Sequence, residues 1–182
     1  MIARFEGRQL VQAALARHLM DTGLGSTSLR QLAAAAQVSD RMLLYYFSDK
    51  ADALGAAMTQ VAISLTEQLE TALPAGTVWQ PRALAAAAAA FTAGPAVRPY
   101  MRLWIEVVAA AARSEEPFPR LAAQIAGGFI AFVEARLDGA ALPDPRATAT
   151  AIVALIDGLA VIAVCGDDDL VTRTAAQLGD LL

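Results

Sequence analysis

The chain has 182 residues, of which 57% are hydrophobic and 18% are charged, so it can bury a core and is excluded from the intrinsically disordered class. Its formal net charge of −4 argues against a protein that binds nucleic acid over its whole surface. The single cysteine, Cys165, excludes an internal disulfide framework and a cysteine-based zinc site, and we expect it to be a small buried residue.

Charge and hydropathy vary along the chain. Residues 1–55 carry six Lys or Arg against five Asp or Glu, whereas the remainder carries eight against thirteen, so any nucleic-acid contact is expected near the N-terminus. No basic-then-apolar signal opens the sequence. The longest apolar run, residues 151–166, is interrupted by Asp157 and is shorter than the roughly 20 residues that span a bilayer. We therefore expect a cytoplasmic protein, and one lysine against thirteen arginines with no asparagine indicates a GC-rich bacterial gene.

The secondary structure is predicted to be all-α. Alanine and leucine dominate at helical spacing, and alternating β-branched runs are nearly absent. Glycine, proline and polar breakers divide the chain into about nine helices. The first three are short or closely spaced, which predicts an N-terminal three-helix module over residues 1–48 and a larger helical bundle over residues 49–182.

The first two predicted helices share a core. Helix 1 carries an inward stripe and ends at Gly23, which is suited to a C-cap. Ser28, followed three residues later by Gln31, predicts a capping box that opens helix 2. The inward residues are Val11, Ala14, Leu15, His18 and Leu19 in helix 1 and Leu29, Leu32, Ala33 and Ala36 in helix 2.

A third short helix follows after a tight turn. Ser39 is placed to cap it, and Val38 can pack on Leu43 as a hydrophobic staple. Helical spacing turns Leu43, Tyr46 and Phe47 inward and turns Asp40, Arg41, Leu44 and Tyr45 outward. The three helices therefore predict a helix-turn-helix.

The exposed N-terminus of helix 3 is suited to the major groove of DNA, since an α-helix fits that groove and its free amides favour phosphate. Arg41 is the expected base-contacting residue, with guanine O6 and N7 as its bidentate partner. Ser39 and Tyr45 are expected to reach phosphate or base edges, and Leu44 a thymine methyl group. Asp40 either accepts from a cytosine amine or is only a capping anion.

The stretch Gly23–Leu54 resembles the DNA-binding signature of the tetracycline-repressor (TetR) family. The matching residues are Gly23, Thr27, Ser28, Leu29, Leu32, Ala33, Ala36, Val38, Ser39, Leu43, Tyr46, Phe47, Lys50 and Leu54. The sequence departs from the family pattern at Gln37, where the family usually has glycine, and at Leu44, where it usually has a tyrosine that contacts phosphate. The resemblance implies that Thr27, Arg30, Tyr46 and Lys50 also lie near the DNA backbone. The full predicted DNA-binding set is Thr27, Ser28, Arg30, Ser39, Asp40, Arg41, Leu44, Tyr45, Tyr46 and Lys50.

Residues 79–137 resemble, more loosely, the ligand-binding region of the same family, which implies a small hydrophobic effector. The predicted ligand-binding residues are Phe91, Tyr100, Met101, Trp104, Gln124 and Phe129. Phe132 is a further candidate, and Arg102 and His18 are possible polar partners. The alternative is that these aromatic and methionine side chains are simply core. The alternative for Arg102 and Glu106, at i and i+4, is a surface ion pair.

The last two helices, roughly 144–165 and 168–181, resemble the pair through which the family forms homodimers. Helix 8 is apolar nearly all round, so it needs cover on both sides. The predicted dimerisation residues are Ile152, Leu155, Ile156, Leu159 and Ile162, with Gly158 permitting close approach. Asp157 is either an interface residue or a ligand contact.

Two functions of different class follow from these patterns. The first is a homodimeric transcription regulator, usually a repressor, that binds a pseudo-palindromic operator and is released by a small hydrophobic effector. The alternative is an all-helical ligand-binding or scaffold protein whose DNA binding has lapsed, for which Leu44, Asp40 and the acidic balance are the arguments. An enzyme is not expected, because one histidine, one cysteine and no glycine-rich phosphate loop assemble no catalytic constellation. No cofactor, metal or membrane partner is expected either.

Overall fold

The computed structural model describes residues 2–166 and 168–181, and the regular structure in those ranges is helical. Its nine α-helices are α1 (Ile2–Thr22), α2 (Leu29–Ala35), α3 (Asp40–Tyr46), α4 (Lys50–Ala72), α5 (Pro81–Thr92), α6 (Arg98–Ala112), α7 (Phe118–Glu134), α8 (Pro145–Val164) and α9 (Asp168–Leu181). Short 3₁₀ turns lie at Gly23–Ser26 and Gly139–Ala141. The predicted all-α class with about nine helices is confirmed.

The chain divides into two compact units. The first comprises residues 1–64 and 103–123, and the second comprises residues 65–102 and 124–182. The predicted domain boundary after residue 48 falls inside the first unit. Helices α4, α6 and α7 each contribute residues to both units.

The core of the first unit is built where α1, α2 and α3 pack against one another. The inward stripes predicted from helical spacing supply it, because Leu15, Leu19, Leu32 and Leu43 are all 0% exposed. Burying a side chain of this size stabilises a fold by about 1.5–3 kcal/mol. Gly23 adopts φ +68° where α1 ends, a left-handed conformation that glycine takes without steric cost.

Helix α4 begins with a reciprocal set of side-chain caps. The Asp52 N–H donates to Oδ1 of Asp49 at 2.8 Å, and the Ser48 N–H donates to Oδ2 of Asp52 at 2.9 Å. These bonds satisfy amides that the first helical turn leaves without a backbone partner. Within the first unit, α4 buries one face made by Ala53, Leu54, Ala57, Met58 and Val61.

The second unit is assembled around the alanine-rich helix α5. Leu84, Ala85, Ala88 and Ala89 are buried on one face of α5, which packs against both α8 and α9. Small side chains let helix backbones approach closely. The buried cluster also contains Leu69, Leu73, Val133, Leu137, Ala149, Ile152, Leu159, Val171 and Ala175.

Arg136 joins three segments of the second unit from a site that is only 5% exposed. Its Nε donates to the Leu73 carbonyl at 2.7 Å, its Nη1 donates to the Phe132 carbonyl at 2.9 Å, and its Nη2 lies 2.7 Å from Oε1 of Glu70. The Arg136 carbonyl accepts from the Trp79 N–H at 2.8 Å. A buried guanidinium requires partners of this kind, so Arg136 ties the end of α4 and the segment before α5 to the end of α7.

Helix α8 is longer than the apolar run that it contains most of, and much of its surface is exposed. Among the described residues it is the one helix long and apolar enough to cross a membrane by length and composition, with a mean hydropathy of 2.2 over 18 residues. Most of the apolar run 151–166 lies in this helix, which begins at Pro145, six residues before the run. A core helix of a globular domain meets the same criteria, and α8 packs against α5 and α9. Cys165, expected to be buried, is exposed at the end of α8.

Candidate functional site

The N-terminus of α3 is set by a capped turn. The Met42 N–H donates to Oγ of Ser39 at 3.1 Å, which confirms the predicted cap. The turn before it contains Gln37, whose φ of +56° lies in the left-handed region that favours glycine. The Val38 N–H donates to the Ala33 carbonyl at 3.0 Å, which closes the turn between α2 and α3.

The outer face of α3 matches the orientation predicted from helical spacing. Asp40 and Arg41 are exposed in its first turn, and Leu44 and Tyr45 are 45% and 51% exposed in its second. Met42, which the sequence analysis did not single out, is also exposed, at 43%. The surface therefore presents a cation, an anion and a helix N-terminus beside apolar and aromatic groups.

The inner face of α3 rests on α1. Leu43 and Phe47 are buried, and Tyr46 is half-buried with its ring 5.3 Å from the Tyr45 ring in an edge-to-face arrangement. A Cβ added at Gly7 would collide with the Tyr46 hydroxyl, so Gly7 provides the space in which that ring lies. Tyr46 is thus held against α1.

Arg8 is a supporting residue that the sequence analysis missed. Its Nε donates to the Tyr46 carbonyl at 3.2 Å, and its guanidinium lies 4.8 Å from the centre of the Phe47 ring. Its Nη2 is 3.6 Å from Oδ1 of Asp52 at the start of α4. Arg8 therefore links α1 to the end of α3 and the start of α4. No local signal marks this role, because Arg8 and Tyr46 are 38 positions apart.

The residues assigned to the DNA backbone by family resemblance occupy the edges of α2, α3 and α4. Ser28 forms the predicted capping box, in which the Gln31 N–H donates to Oγ of Ser28 at 3.3 Å and the Ser28 N–H donates to Oε1 of Gln31 at 3.0 Å. Thr27 is half-buried, and its hydroxyl donates to the Leu24 carbonyl at 3.0 Å. Arg30 and Lys50 are exposed, the latter as the first residue of α4.

Glu106 on α6 contacts the turn that precedes α2 within the first unit. The Leu24 N–H donates to Oε2 of Glu106 at 2.6 Å, a charge-assisted hydrogen bond. The Glu106 carboxylate also occupies the space that a Cβ at Gly23 would fill. Gly23 is therefore required for two reasons, its left-handed φ and this close approach. The sequence spacing alone had indicated for Glu106 only a surface ion pair with Arg102.

A half-open cavity of about 320 Å³ lies in the second unit. Of the predicted ligand-binding residues, Met101 lines it, as does Arg102, which the sequence analysis named as a polar partner. The described lining residues are Thr92, Ala93, Arg98, Met101, Arg102, Leu159, Ala160, Ala163, Val164 and Val171. The lining residues from α8 and α9 lie outside residues 79–137, so the resemblance of that region to a ligand-binding region could not identify them.

The other predicted ligand-binding residues have different surroundings. Phe91 and Phe129 are partly buried against the core of the second unit. The Tyr100 hydroxyl accepts from Nε2 of Gln68 at 2.8 Å. Gln124 is exposed, and Trp104 is half-buried in the first unit. These placements agree with the alternative that several of the aromatic side chains serve as core.

The predicted dimerisation residues divide between two sides of α8. Ile152 and Leu159 are buried in the core of their own subunit, so that part of the prediction is corrected. Leu155 and Ile156 pack partly against the same core, whereas Ile162 is 47% exposed. The exposed side of α8 is instead formed by Ala151, Ala154, Gly158, Val161, Ile162 and Cys165, which recur at three- and four-residue spacing. We call these six residues the α8 stripe.

Comparisons with known proteins identify both parts of the chain. Residues 12–57 match the family described as bacterial regulatory proteins, tetR family, and residues 80–181 match the family described as BetI-type transcriptional repressor, C-terminal. Among curated proteins, no relative matches the chain.

Solved structures with the same fold come from several sources. A protein from Rhodococcus sp., described as a TetR-family transcriptional regulator, has 20% identity and a TM-score of 0.78 over 97% of each chain. The multidrug binding protein EbrR in complex with proflavin has 27% identity and a TM-score of 0.63, over 94% of this chain and 99% of EbrR. A transcriptional regulator from Saccharomonospora viridis in complex with choline has 17% identity and a TM-score of 0.66 over 93% of each chain.

Proposed function

Because the chain belongs to the TetR family of bacterial transcription regulators, we propose that it is a homodimeric repressor that binds a pseudo-palindromic operator through α3 and is released by a small-molecule effector. The observation that carries this proposal is the capped, exposed α3, whose first turn displays Arg41 while Leu43 and Phe47 anchor its opposite face. Residues 1–48 form the DNA-binding domain in this proposal and residues 49–182 the ligand-binding and dimerisation domain. In this proposal the protein acts in the cytoplasm by binding DNA and an effector, and it catalyses no reaction.

In the proposed complex, α3 lies in the major groove with its N-terminus toward the bases. Arg41 donates two hydrogen bonds to O6 and N7 of a guanine, which is the commonest specific side-chain contact. Ser39 and Tyr45 contact phosphate or base edges, and Leu44 packs against a thymine methyl group. Asp40 accepts from a cytosine amine, an arrangement that its exposed position permits.

Contacts to the DNA backbone come from the residues around α3. Arg30 and Lys50 supply positive charge from exposed positions. Thr27, Ser28 and Tyr46 supply hydroxyl groups beside the N-terminus of α2 and the end of α3. The capping bonds of Ser28 and the contacts of Tyr46 with α1 hold these groups in place, so that little side-chain entropy is lost on binding.

The α8 stripe supports dimerisation. A pseudo-palindromic operator requires two copies of α3 one helical turn of DNA apart, which a two-fold dimer provides. The stripe is apolar, and Ala151, Ala154 and Gly158 allow a second helix to approach closely. We propose that two copies pair α8 through this stripe, with Val161 and Ile162 as the largest contacts.

The effector acts through α6 in this proposal. This helix carries Arg98, Met101 and Arg102 at the cavity and, one turn later, Glu106 at the turn before α2. A ligand that binds one position of α6 better than another shifts the population of conformations, and Glu106 transfers that shift to the helix-turn-helix. The structures of EbrR with proflavin and of the Saccharomonospora protein with choline support a small molecule as the effector.

The test is an Arg41→Ala variant measured on an operator selected from a randomised duplex library. We expect the affinity for the selected operator to fall by about 5- to 150-fold, equivalent to about 1–3 kcal/mol, with relaxed preference at one base pair. An Arg120→Ala variant is the matched control, since Arg120 is an exposed arginine on α7 that has no role in the proposal. Equal weakening on random and selected duplexes would make Arg41 a phosphate contact, and unchanged affinity on both would remove α3 from the interface.

The exposed Leu44 and Asp40 favour a second candidate, an all-helical ligand-binding protein without DNA binding. An apolar and an anionic side chain on the outer face of α3 add nothing to phosphate attraction. The selection itself distinguishes the two candidates. If the chain is a regulator, the selection enriches one duplex sequence, and the affinity of the protein for that duplex falls steeply as the salt concentration rises. If the second candidate is right, the selection enriches no duplex.

A further inference from the structure

Arg8 on α1 contacts three groups at the junction between α3 and α4. Its Nε donates to the Tyr46 carbonyl at 3.2 Å, its guanidinium lies 4.8 Å from the centre of the Phe47 ring, and its Nη2 lies 3.6 Å from Oδ1 of Asp52. Phe47 is the C-cap of α3, and Asp52 lies in the first turn of α4. One side chain of the first unit therefore fixes the end of one helix and the start of the next.

The bond to Tyr46 supports a helix that is too short to be stable by itself. The carbonyls in the last turn of a helix have no intrahelical partner, and this end of the helix dipole favours a positive charge. Helix α3 has only seven residues, so it depends on its surroundings for its position. The Ser39 cap fixes where α3 begins, and Arg8 holds its last turn from α1. Arg41, in contrast, is exposed to solvent in the first turn.

Arg8 also balances the charge at the start of α4. Lys50, a proposed phosphate contact, lies between Asp49 and Asp52 in the sequence, and carboxylates repel the DNA backbone. Oδ1 of Asp52 faces Arg8, and its Oδ2 accepts from the Ser48 N–H at 2.9 Å. The Asp52 carboxylate is therefore held within the junction by Arg8 and Ser48, and its charge is offset there.

We propose that Arg8 is a positioning residue for operator recognition. It holds α3 and the start of α4 in the relative orientation in which Arg41 reaches a base edge while Lys50 reaches phosphate, and it does so without contacting DNA. The inference rests on the proposed function and adds to it a residue outside the DNA-contacting set. Base contacts depend on the orientation of α3, whereas phosphate attraction depends mainly on the number of cations. Arg8 therefore contributes to discrimination between duplexes more than to general affinity.

The experiment compares three single variants of the full-length protein, Arg8→Gln, Lys50→Gln and Arg17→Gln. Affinity for the selected operator and for a random-sequence duplex is measured over a range of salt concentrations, at a temperature at which circular dichroism shows every variant to be folded. We expect Arg8→Gln to weaken binding to the operator about tenfold and binding to the random duplex about twofold or less, with an unchanged salt dependence.

The two other variants provide the comparison. Lys50→Gln removes a proposed phosphate contact, so it should weaken binding to both duplexes about equally and lower the slope of log affinity against log salt by about one. Arg17→Gln is the matched control, because Arg17 is an exposed arginine on the same helix as Arg8 and lies outside the proposal. We expect it to change both affinities by about twofold or less.

A conservative variant and a spectroscopic measurement separate positioning from charge alone. Arg8→Lys keeps a positive charge near Asp52 but loses the planar group that bonds the Tyr46 carbonyl while it covers the Phe47 ring. We expect this variant to recover only part of the operator affinity that Arg8→Gln loses. The Ser48 N–H donates to Asp52, so its amide resonance in the free protein should shift in Arg8→Gln and stay in place in Arg17→Gln.

Several results would overturn the inference. Equal losses on the two duplexes with a smaller salt slope would make Arg8 a phosphate contact. Unchanged affinity in Arg8→Gln, full recovery in Arg8→Lys, or a Ser48 resonance that does not move would each remove the positioning role. The proposed function fails separately, because it is tested on the unmodified protein and this inference on its variants. An unmodified protein that selects no duplex would overturn both, whereas a selective protein with an unaffected Arg8→Gln variant would overturn only the inference.

Discussion

The helix-turn-helix and the cavity are built from contacts of different range. In the helix-turn-helix, the helix starts depend on bonds three residues apart, such as Ser28 with Gln31 and Ser39 with Met42. The cavity combines residues from Thr92 to Val171, which meet only when α5, α6, α8 and α9 have packed. The helix-turn-helix is therefore encoded largely by local contacts, whereas the cavity requires four helices to pack.

The difference is one of degree, because the helix-turn-helix also depends on distant supports. Arg8 holds the end of α3 from α1, and Glu106 holds the turn before α2 from α6. These long-range contacts set the orientation of the short helices, while the caps set where they begin. Three predictions test how far the two regions differ.

The largest expected effect comes from truncating one core leucine in each region. Leu43 and Leu84 are both 0% exposed, and Leu43→Ala and Leu84→Ala should each lower the free energy of unfolding by about 2–5 kcal/mol. We expect Leu43→Ala to impair operator binding more than Leu84→Ala does, because Leu43 lies in α3 itself and Leu84 lies in α5 of the second unit. Denaturant titration followed by gel-shift titration gives the comparison. Equal loss of operator binding in both variants would mean that the two regions are not independent.

A smaller effect is expected from removing one N-cap in each region. The Ser39 side chain accepts from Met42 at the start of α3, and the Asp144 side chain accepts from Ala147 at the start of α8. Ser39→Ala and Asp144→Ala should each destabilise the fold by about 1 kcal/mol. Only Ser39→Ala should also weaken operator binding, because α3 is seven residues long and depends on its cap. Thermal unfolding and gel-shift titration measure the two effects, and weaker operator binding in Asp144→Ala would contradict the distinction.

The smallest expected effect is an increase in stability. Gln37 adopts φ +56°, at the position where the resemblance to the family calls for glycine. Gln37→Gly should raise the free energy of unfolding by about 0.5–1 kcal/mol, since the left-handed strain of about 1–2 kcal/mol is partly offset by the greater freedom of glycine in the unfolded chain. Gln31→Gly, within α2, is the opposite control and should destabilise the protein. A Gln37→Gly variant less stable than the parent would show that the glutamine side chain stabilises the turn.

Much of the first unit was predictable, and less of the second. The inward stripe of α1, the two serine caps and the outward position of Arg41 and Tyr45 all follow from helical spacing and short-range bonding. The orientation of α8 was harder to predict, because a helix that is apolar all round carries no signal for which side is covered. Ile152 and Leu159 therefore proved to be core, and the exposed apolar side lies at the α8 stripe.

The sequence by itself determined the helices, their caps, the helix-turn-helix and the family, because each of these depends on residues close together in the chain and on their order. Only the tertiary structure decided that Arg136 joins three segments, that Glu106 supports Gly23 and Leu24, and that Arg98 and Arg102 border an apolar cavity. Such contacts join residues far apart in sequence. Their formation depends on how whole helices pack, and no local pattern of side chains specifies it.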